Sequence, residues 1–271
     1  MRSFFTIFCS IVLLAVAHPS CGQYYETLIS DRPGKAFRPF TPGKSVFLLQ
    51  SGVSYSHVSE SSEVKTNTTN FYNDTEFRWG LLRNFEVNAN FQFSNERLTI
   101  QDSLADKNSG LSDLTIGTRY IIFEGERAIP TISFQASILL NLLSSSFNPR
   151  DAAPSFMLLT HQRLGEKISL VTNAGMSWNG NNSRSRGDYA LNLTFAISPK
   201  YGAIIENYGN LENNEFNTYF DTGVYYLLSN NFQVDLSGGL GHNHGATNLF
   251  ATLGFSWRFK KDYYYIQEHF E

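Results

Sequence analysis

Apolar and polar residues alternate along this chain between positions 46 and 259, in segments of about ten residues. In the clearest segment, 85–93 (FEVNANFQF), every second residue is apolar and the residues between are acidic or carry an amide. Because successive side chains of a β-strand point to opposite faces, each such strand separates an apolar environment from an aqueous one. Repeated along the chain, the pattern predicts an all-β transmembrane barrel.

The same pattern places twelve strands, which we expect to pair antiparallel in chain order as an up-and-down barrel. The predicted strands are 45–56, 69–82, 85–97, 110–122, 128–142, 153–163, 167–179, 187–198, 201–210, 216–228, 231–242 and 247–259. The alternation is mixed around 156–161 and fades after Ile205. A soluble β-sandwich or lipocalin-like barrel would show similar alternation. The number of strands, their length and their charged polar faces favour the membrane barrel.

The connections between the predicted strands alternate in length. The short ones are 82–84, 124–127, 163–166, 198–200 and 228–230, and the long polar ones are 57–68, 96–109, 143–152, 180–186 and 211–215. Outer-membrane barrels have short periplasmic turns and long extracellular loops, and an even strand number places both barrel ends on the periplasmic side. Aromatic residues near both ends of the strands predict the two interfacial belts of such a barrel.

The N-terminus has the pattern of a removable export signal. Arg2 is followed by an apolar run over 4–17 that is too short to span a bilayer, and the preferred cleavage site follows Gly22. We therefore expect a signal peptide at 1–22, a periplasmic segment at 23–44 that could plug or cap the barrel, the barrel itself at 45–259 and a C-terminal tail at 260–271. Both cysteines, Cys9 and Cys21, precede that site, so we expect no thiol chemistry beyond it.

Charged residues at the polar phase are candidates for the barrel lumen, because a lysine or arginine facing lipid at mid-bilayer would cost about 2–4 kcal/mol. The lumen-lining candidates are Glu76, Arg78, Glu86, Asp113, Arg119, Asp188, Glu206, Asp221, Asp235 and Arg258. Such charges form either ion pairs that brace a filled barrel or a water-filled path that favours cations. A barrel of twelve strands lies between the filled and the open size classes, so its size leaves both alternatives open.

The segment 24–44, which precedes the first strand, is irregular, proline-containing and basic. Its charged residues are Glu26, Asp31, Arg32, Lys35, Arg38 and Lys44. In one interpretation it enters or caps the periplasmic mouth and pairs with lumen acids. In the other it is a disordered periplasmic leader. The sequence leaves both interpretations open.

Composition and motifs do not indicate an enzyme or a nucleic-acid-binding protein. The formal net charge is -3, without the basic excess that binds nucleic acid. His57 lies near serines and His242 lies two residues before His244, but neither group has the third residue that nucleophilic catalysis or a metal site needs. We predict no catalytic, metal or cofactor site. The expected partners are membrane lipids, the barrel assembly machinery and an unidentified small-molecule solute.

Three stretches of the sequence resemble one family of outer-membrane proteins. Residues 26–34 (ETLISDRPG) are similar to its leading T-D-R-P segment, 109–120 (SGLSDLTIGTRY) to its G-x-x-D-x-x-x-G-x-K/R-Y strand, and 82–87 to its L-x-x-N-x-E-V/L hairpin. The family is the MetA-pathway phenol-degradation group, catalogued as transporter barrels of Bacteroidetes-type bacteria, and the resemblance covers residues 26–260. The leading motif falls on Asp31, Arg32, Pro33 and Gly34. Such barrels end at or near a terminal aromatic residue, whereas this chain continues past Phe259.

The resemblance implies import or export of small, often aromatic, molecules. Together with the barrel pattern it predicts a protein of the bacterial outer membrane that acts as a passive transporter or pore for small molecules, hydrophobic or aromatic ones among them, and is not an enzyme. A non-conducting structural or surface-interaction barrel is the first alternative. A lipid-modifying barrel enzyme is the second.

Overall fold

A computed structural model describes residues 26–61 and 64–259, so the predicted signal peptide and the predicted C-terminal tail lie outside the described residues. The described chain forms a closed antiparallel barrel in which each strand pairs with its neighbours in sequence and the last strand pairs with the first. The strands are β1 (Phe47–Ser61), β2 (Lys65–Gly80), β3 (Phe85–Ile100), β4 (Ser103–Phe123), β5 (Thr131–Leu139), β6 (Ala153–Arg163), β7 (Ile168–Ser177), β8 (Arg186–Ala196), β9 (Tyr201–Glu212), β10 (Glu215–Ser229), β11 (Phe232–Asn243) and β12 (Ala246–Phe259). The predicted all-β barrel of twelve strands is confirmed. Among the described residues, no helix has the length and apolar character needed to cross a membrane.

The two rims of the barrel differ in their connections. We call the rim where β1 begins and β12 ends the turn rim; its connections are 81–84, 124–130, 164–167, 197–200 and 230–231. At the opposite rim, the loop rim, the irregular connections are 140–152 and 178–185.

Several strands extend further toward the loop rim than the sequence predicted. Strands β3 and β4 stay paired as far as Ile100 and Ser103, so most of the predicted loop 96–109 is strand. Gln101 and Asp102, both at positive φ (48° and 62°), close this hairpin as a two-residue turn of the type that matches the strand twist. Beyond the lipid neither face of a strand has to be apolar, so backbone pairing continues where the alternation has ended. The predicted loops 57–68 and 211–215 are shortened in the same way.

The faces of the strands follow the predicted phase. In β3, Glu86 and Asn88 are buried inside the barrel, while Phe93 on the outer face is 53% exposed. Near the turn rim, outward aromatic rings contact one another, as in the stacked pair Phe47 and Trp79 with ring centroids 5.3 Å apart. An apolar exterior with aromatic rings near a rim is typical of the lipid-facing surface of a membrane barrel.

Candidate functional site

Residues 26–46, which we call the lumen segment, run irregularly inside the barrel. Both ends of the segment are bonded to the turn rim: the Leu28 N–H donates to the carbonyl of Asn230 (2.7 Å), and the Ser45 N–H donates to the carbonyl of Gly80 (2.7 Å). Between these points the segment is largely buried against the inner face of the wall. The interpretation as a disordered leader therefore does not describe residues 26–44.

Polar side chains of the wall hydrogen-bond the backbone of the lumen segment. The Phe37 N–H donates to Asn173 Oδ1 (2.7 Å), and Asn173 Nδ2 donates back to the Phe37 carbonyl (2.8 Å). The carboxylate of Glu206 accepts from the N–H groups of Lys35 (2.5 Å) and Ala36 (2.9 Å). Carbonyls on either side of these residues accept from the side chains of Gln233, Arg119, Ser133 and Arg78. A buried irregular backbone needs such partners, so these side chains stabilise the position of the segment.

A buried charge cluster connects Asp31 of the lumen segment to β2, β3 and β4. Asp31 Oδ2 accepts from Arg78 Nη1 (2.9 Å) and from Arg119 Nη2 (3.0 Å). Glu86 receives two hydrogen bonds from Arg78, from Nε (2.9 Å) and Nη2 (2.8 Å). In this Asp31 cluster, two guanidinium groups are balanced by one carboxylate from the wall and one from the segment. Burial opposes the ionisation of Asp31, but the charges of Arg119 and Arg78 outweigh it and hold the pKa of this carboxyl below its usual value.

The side chain of Arg32 is bound at a second place on the wall, between β1, β11 and β12. Its guanidinium donates to both oxygens of Asp235, from Nε (3.2 Å) and Nη2 (3.0 Å). It packs against Gly52 and Gly254, which are paired across β1 and β12. A Cβ atom on Gly254 would lie 2.1 Å from Arg32 Nη2, and a Cβ on Gly52 would lie 2.5 Å from the same atom. Glycine at both positions therefore leaves the space that the guanidinium occupies.

Gly34 ends the four-residue motif in a conformation that favours glycine. Its φ is +101°, and a Cβ here would lie 2.8 Å from Ile204 Cδ1 and 3.0 Å from Glu206 Oε2. Pro33, which follows a cis peptide bond, is fully buried. Each residue of the motif at 31–34 is thus fitted to the wall of the barrel.

We expect Gly34→Ala to loosen the lumen segment while the barrel stays folded. Alanine at this φ is disfavoured by about 1–2 kcal/mol, and its Cβ would also collide with Ile204. Hydrogen exchange followed by mass spectrometry should show faster exchange of the amides of Lys35 and Ala36. Gly245→Ala is the matched control, because Gly245 also has positive φ (+83°) but a Cβ added to it would have no neighbouring atom within 4 Å. Unchanged exchange in Gly34→Ala would contradict the fitted arrangement.

The lumen segment separates two cavities. The loop-side cavity has a volume of about 550 Å³, and its lining includes segment residues such as Lys35 and Phe37. The turn-side cavity has a volume of about 740 Å³ and is bounded by segment residues such as Ile29 and Arg38. The segment therefore forms the partition between the two halves of the lumen.

The structure brings several of the ten charged candidates together. Three of them belong to the Asp31 cluster. Glu206 lies directly opposite Asp221 in the register of β9 and β10, and Asp235 binds Arg32.

The remaining candidates are dispersed. Glu76, Asp113 and Asp188 line the loop-side cavity. Arg258 lies at the turn rim, where its Nη2 donates to the carbonyl of Glu26 (2.9 Å). The uncharged partners of the segment were not predicted, above all Asn173, whose signal was an amide at the inward phase in the middle of β7.

The histidines make local contacts. His57 Nδ1 lies 3.2 Å from Thr69 Oγ1, and His242 Nδ1 lies 2.8 Å from Thr247 Oγ1. His161 faces the lumen and its ring packs edge-on against Phe40, with centroids 5.0 Å apart. Within the part of the chain that the structure describes, no group of three or more histidine, cysteine or acidic side chains is placed to hold a metal ion.

A closed barrel with an apolar exterior and a charged interior is the architecture of an outer-membrane β-barrel. The chain belongs to the family described as "Putative MetA-pathway of phenol degradation", whose model matches residues 30–259. No curated protein matches the sequence.

Solved structures share the fold at low sequence identity. An outer membrane channel from Pseudomonas putida F1 aligns with a TM-score of 0.63 and 13% identity, covering 89% of this chain and all of that one. The translocator domain of the autotransporter NalP from Neisseria meningitidis aligns with a TM-score of 0.54 and 12% identity, covering 84% of this chain and 90% of that one. The KdgM porin, solved in complex with disordered oligogalacturonate, aligns with a TM-score of 0.51 and 10% identity, covering 77% of this chain and 99% of that one. At these identities the similarities show a shared barrel fold.

Proposed function

We propose that this protein is a passive channel for small molecules and that the lumen segment is its plug. The observation that carries the proposal is that residues of the lumen segment line both cavities, Lys35 and Phe37 the loop-side one and Ile29 and Arg38 the turn-side one. A displaced or rearranged segment would therefore open a path between them. Family membership and the channel-type fold support a transport role. The proposed solutes include hydrophobic or aromatic molecules. The proposed partners are membrane lipids, which contact the exterior, and the barrel assembly machinery, which inserts the protein.

A second candidate is a non-conducting barrel, because the Asp31 cluster and the bonded backbone fix the segment firmly. In that case the loop rim would carry the function through contacts with the environment. The two candidates differ in whether solutes and ions cross the purified protein.

Removing residues 27–42 should raise conductance well above that of the full chain, because this deletion joins the two cavities. Single-channel recording in planar bilayers and swelling of liposomes in a series of small solutes, benzyl alcohol and arabinose among them, would measure both proteins. Heat-modifiable gel migration would verify that the deletion variant is a folded barrel. A folded deletion variant that passes neither ions nor solutes would overturn the channel proposal. A full chain that stays silent at every applied voltage, beside a conducting deletion variant, would favour the non-conducting barrel, because the plug of a working channel has to be displaceable.

A further inference from the structure

The inward face of β9 and β10 presents a ladder of like residues above the lumen segment. In the register of these strands, Glu206 is opposite Asp221, and one step nearer the loop rim Tyr208 is opposite Tyr219. The two tyrosine rings are stacked, with centroids 5.3 Å apart and planes inclined by 18°. Both rings and Asp221 line the loop-side cavity.

Two glycines of β11 allow aromatic rings to lie against the adjoining wall. A Cβ on Gly241 would lie 2.3 Å from Tyr219 Cδ1, and a Cβ on Gly239 would lie 2.6 Å from Phe250 Cζ. The ring of Phe250 in turn meets Tyr208 edge-on, with centroids 6.4 Å apart. Tyr208, Tyr219 and Phe250 thus form a continuous aromatic shelf on one side of the loop-side cavity.

Asp221, beside this shelf, is an acceptor without a donor. The residue is only 6% exposed, and its Oδ1 has no hydrogen-bond partner among the described residues. Its neighbour Glu206 differs, because both oxygens of that carboxylate accept hydrogen bonds from the lumen segment. Across the same cavity, Asp113 accepts from Thr115 (2.8 Å). A buried carboxylate oxygen without a donor is costly to maintain, and a bound cation would satisfy it.

The charges around the cavity favour a positive ligand. Glu76, Asp74 and Asp113 line it in addition to Asp221, and Arg186 of the same lining is paired with Asp188 (2.8 Å). A resident cation also lies at this cavity, because Lys35 of the lumen segment belongs to its lining. Lys35 is therefore expected to compete with a bound cation.

We propose that the loop-side cavity binds organic cations, in which an ammonium group is attached to an aromatic or other apolar body. The ammonium would donate to Asp221, and the body would lie on the aromatic shelf, whose ring faces also attract positive charge. The proposal deepens the proposed function, because it names the class of solute that this cavity would select for passage.

Isothermal titration calorimetry of the full chain in detergent would test the site. The probes are 2-phenylethylammonium, its neutral analogue 2-phenylethanol and the anion phenylacetate. We expect the cation to bind in preference to both analogues. Asp221→Asn should weaken its binding about tenfold or more, because a hydrogen bond to a charged group is lost. Asp113→Asn is the matched control: it removes the same charge from the same cavity away from the shelf, so it should weaken binding only through the general potential and by less than Asp221→Asn does.

Two further variants keep the test decisive if Asp221→Asn does not fold. Phe250→Leu should weaken the binding of 2-phenylethylammonium because it removes part of the aromatic shelf. Lys35→Met should strengthen that binding because it removes the competing positive charge. Equal losses in Asp221→Asn and Asp113→Asn would overturn the site in favour of a diffuse negative potential. Equal binding of the cation and 2-phenylethanol would also overturn it. Because binding is measured without a membrane, binding without transport refutes only the channel, and transport without binding refutes only this site.

Discussion

Asp31→Ala should open the barrel, with a single-channel conductance several-fold above that of the unaltered chain. The substitution leaves the guanidinium groups of Arg78 and Arg119 with one carboxylate, Glu86, at positions that are almost completely buried. Removing one partner of a buried ion pair costs about 3–5 kcal/mol. The wall is held by backbone pairing around the whole barrel, so this cost falls on the docking of the lumen segment. Planar-bilayer recording would measure the effect, and protease cleavage within 26–46 would report the release of the segment.

Asp102→Ala is the control for this prediction. Asp102 forms an ion pair with Lys65 at 3.0 Å, a length close to that of the pairs of Asp31, but both side chains are exposed. Exposed pairs contribute about 0–1 kcal/mol, so conductance and protease resistance should be unchanged. If Asp31→Ala kept both the conductance and the protease resistance of the unaltered chain, the Asp31 cluster would not be what fixes the segment.

The outer surface of the barrel could be predicted because lipid imposes a strict rule on it. Along β3 every outward position had to be apolar at membrane depth, so the phase of 85–93 determined that Glu86 faces inward and Phe93 outward. The requirement for apolar outward residues applies only where the strand is in contact with lipid. The extension of β3 to Ile100 therefore left no trace in the alternation, and only the pairing of the backbone reveals it.

Inward positions do not have to be polar where the lumen is filled by protein, which explains why the alternation is mixed in some strands. The alternation in β6 is mixed because Leu159, an inward residue, is fully buried in the lumen. In β7 the inward Val171 packs in a small apolar cluster with Ala36 of the lumen segment and Ala190. A water-filled lumen would not need apolar residues at these positions. The irregular alternation was thus a signal of a filled lumen, but the segment that fills it could not be placed from spacing alone.

The residues of the motif at 31–34 could be singled out from the sequence, but their contacts could not be predicted. The resemblance to a family motif singled out the four residues, but nothing in the chain linked Arg32 to glycines about twenty and more than two hundred residues away. That link exists only because the barrel closes β12 onto β1 and places Gly254 opposite Gly52. Contacts created by closure depend on register between the first and last strands, which local patterns do not specify.

Gly254→Ala should displace Arg32 and thereby raise conductance toward the level of Arg32→Ala. The added methyl group would lie 2.1 Å from Arg32 Nη2, and the three atoms nearest to it all belong to that guanidinium. The arginine must therefore move, which leaves Asp235 without its partner inside the barrel. Gly187→Ala in β8 is the control, since a Cβ there has no neighbour closer than 3.9 Å. Planar-bilayer recording would compare the variants.

A double-mutant cycle separates this mechanism from damage to the wall. In an Arg32→Ala background the methyl group of Gly254→Ala meets empty space, so the second substitution should add nothing to the first. Additive effects would show instead that alanine at 254 disturbs the pairing of β12 with β1. The predicted non-additivity is specific, because the three atoms nearest to a Cβ on Gly254 all belong to one side chain of the lumen segment, Arg32. An effect that vanishes with Arg32 would show that conductance depends on how this segment is docked.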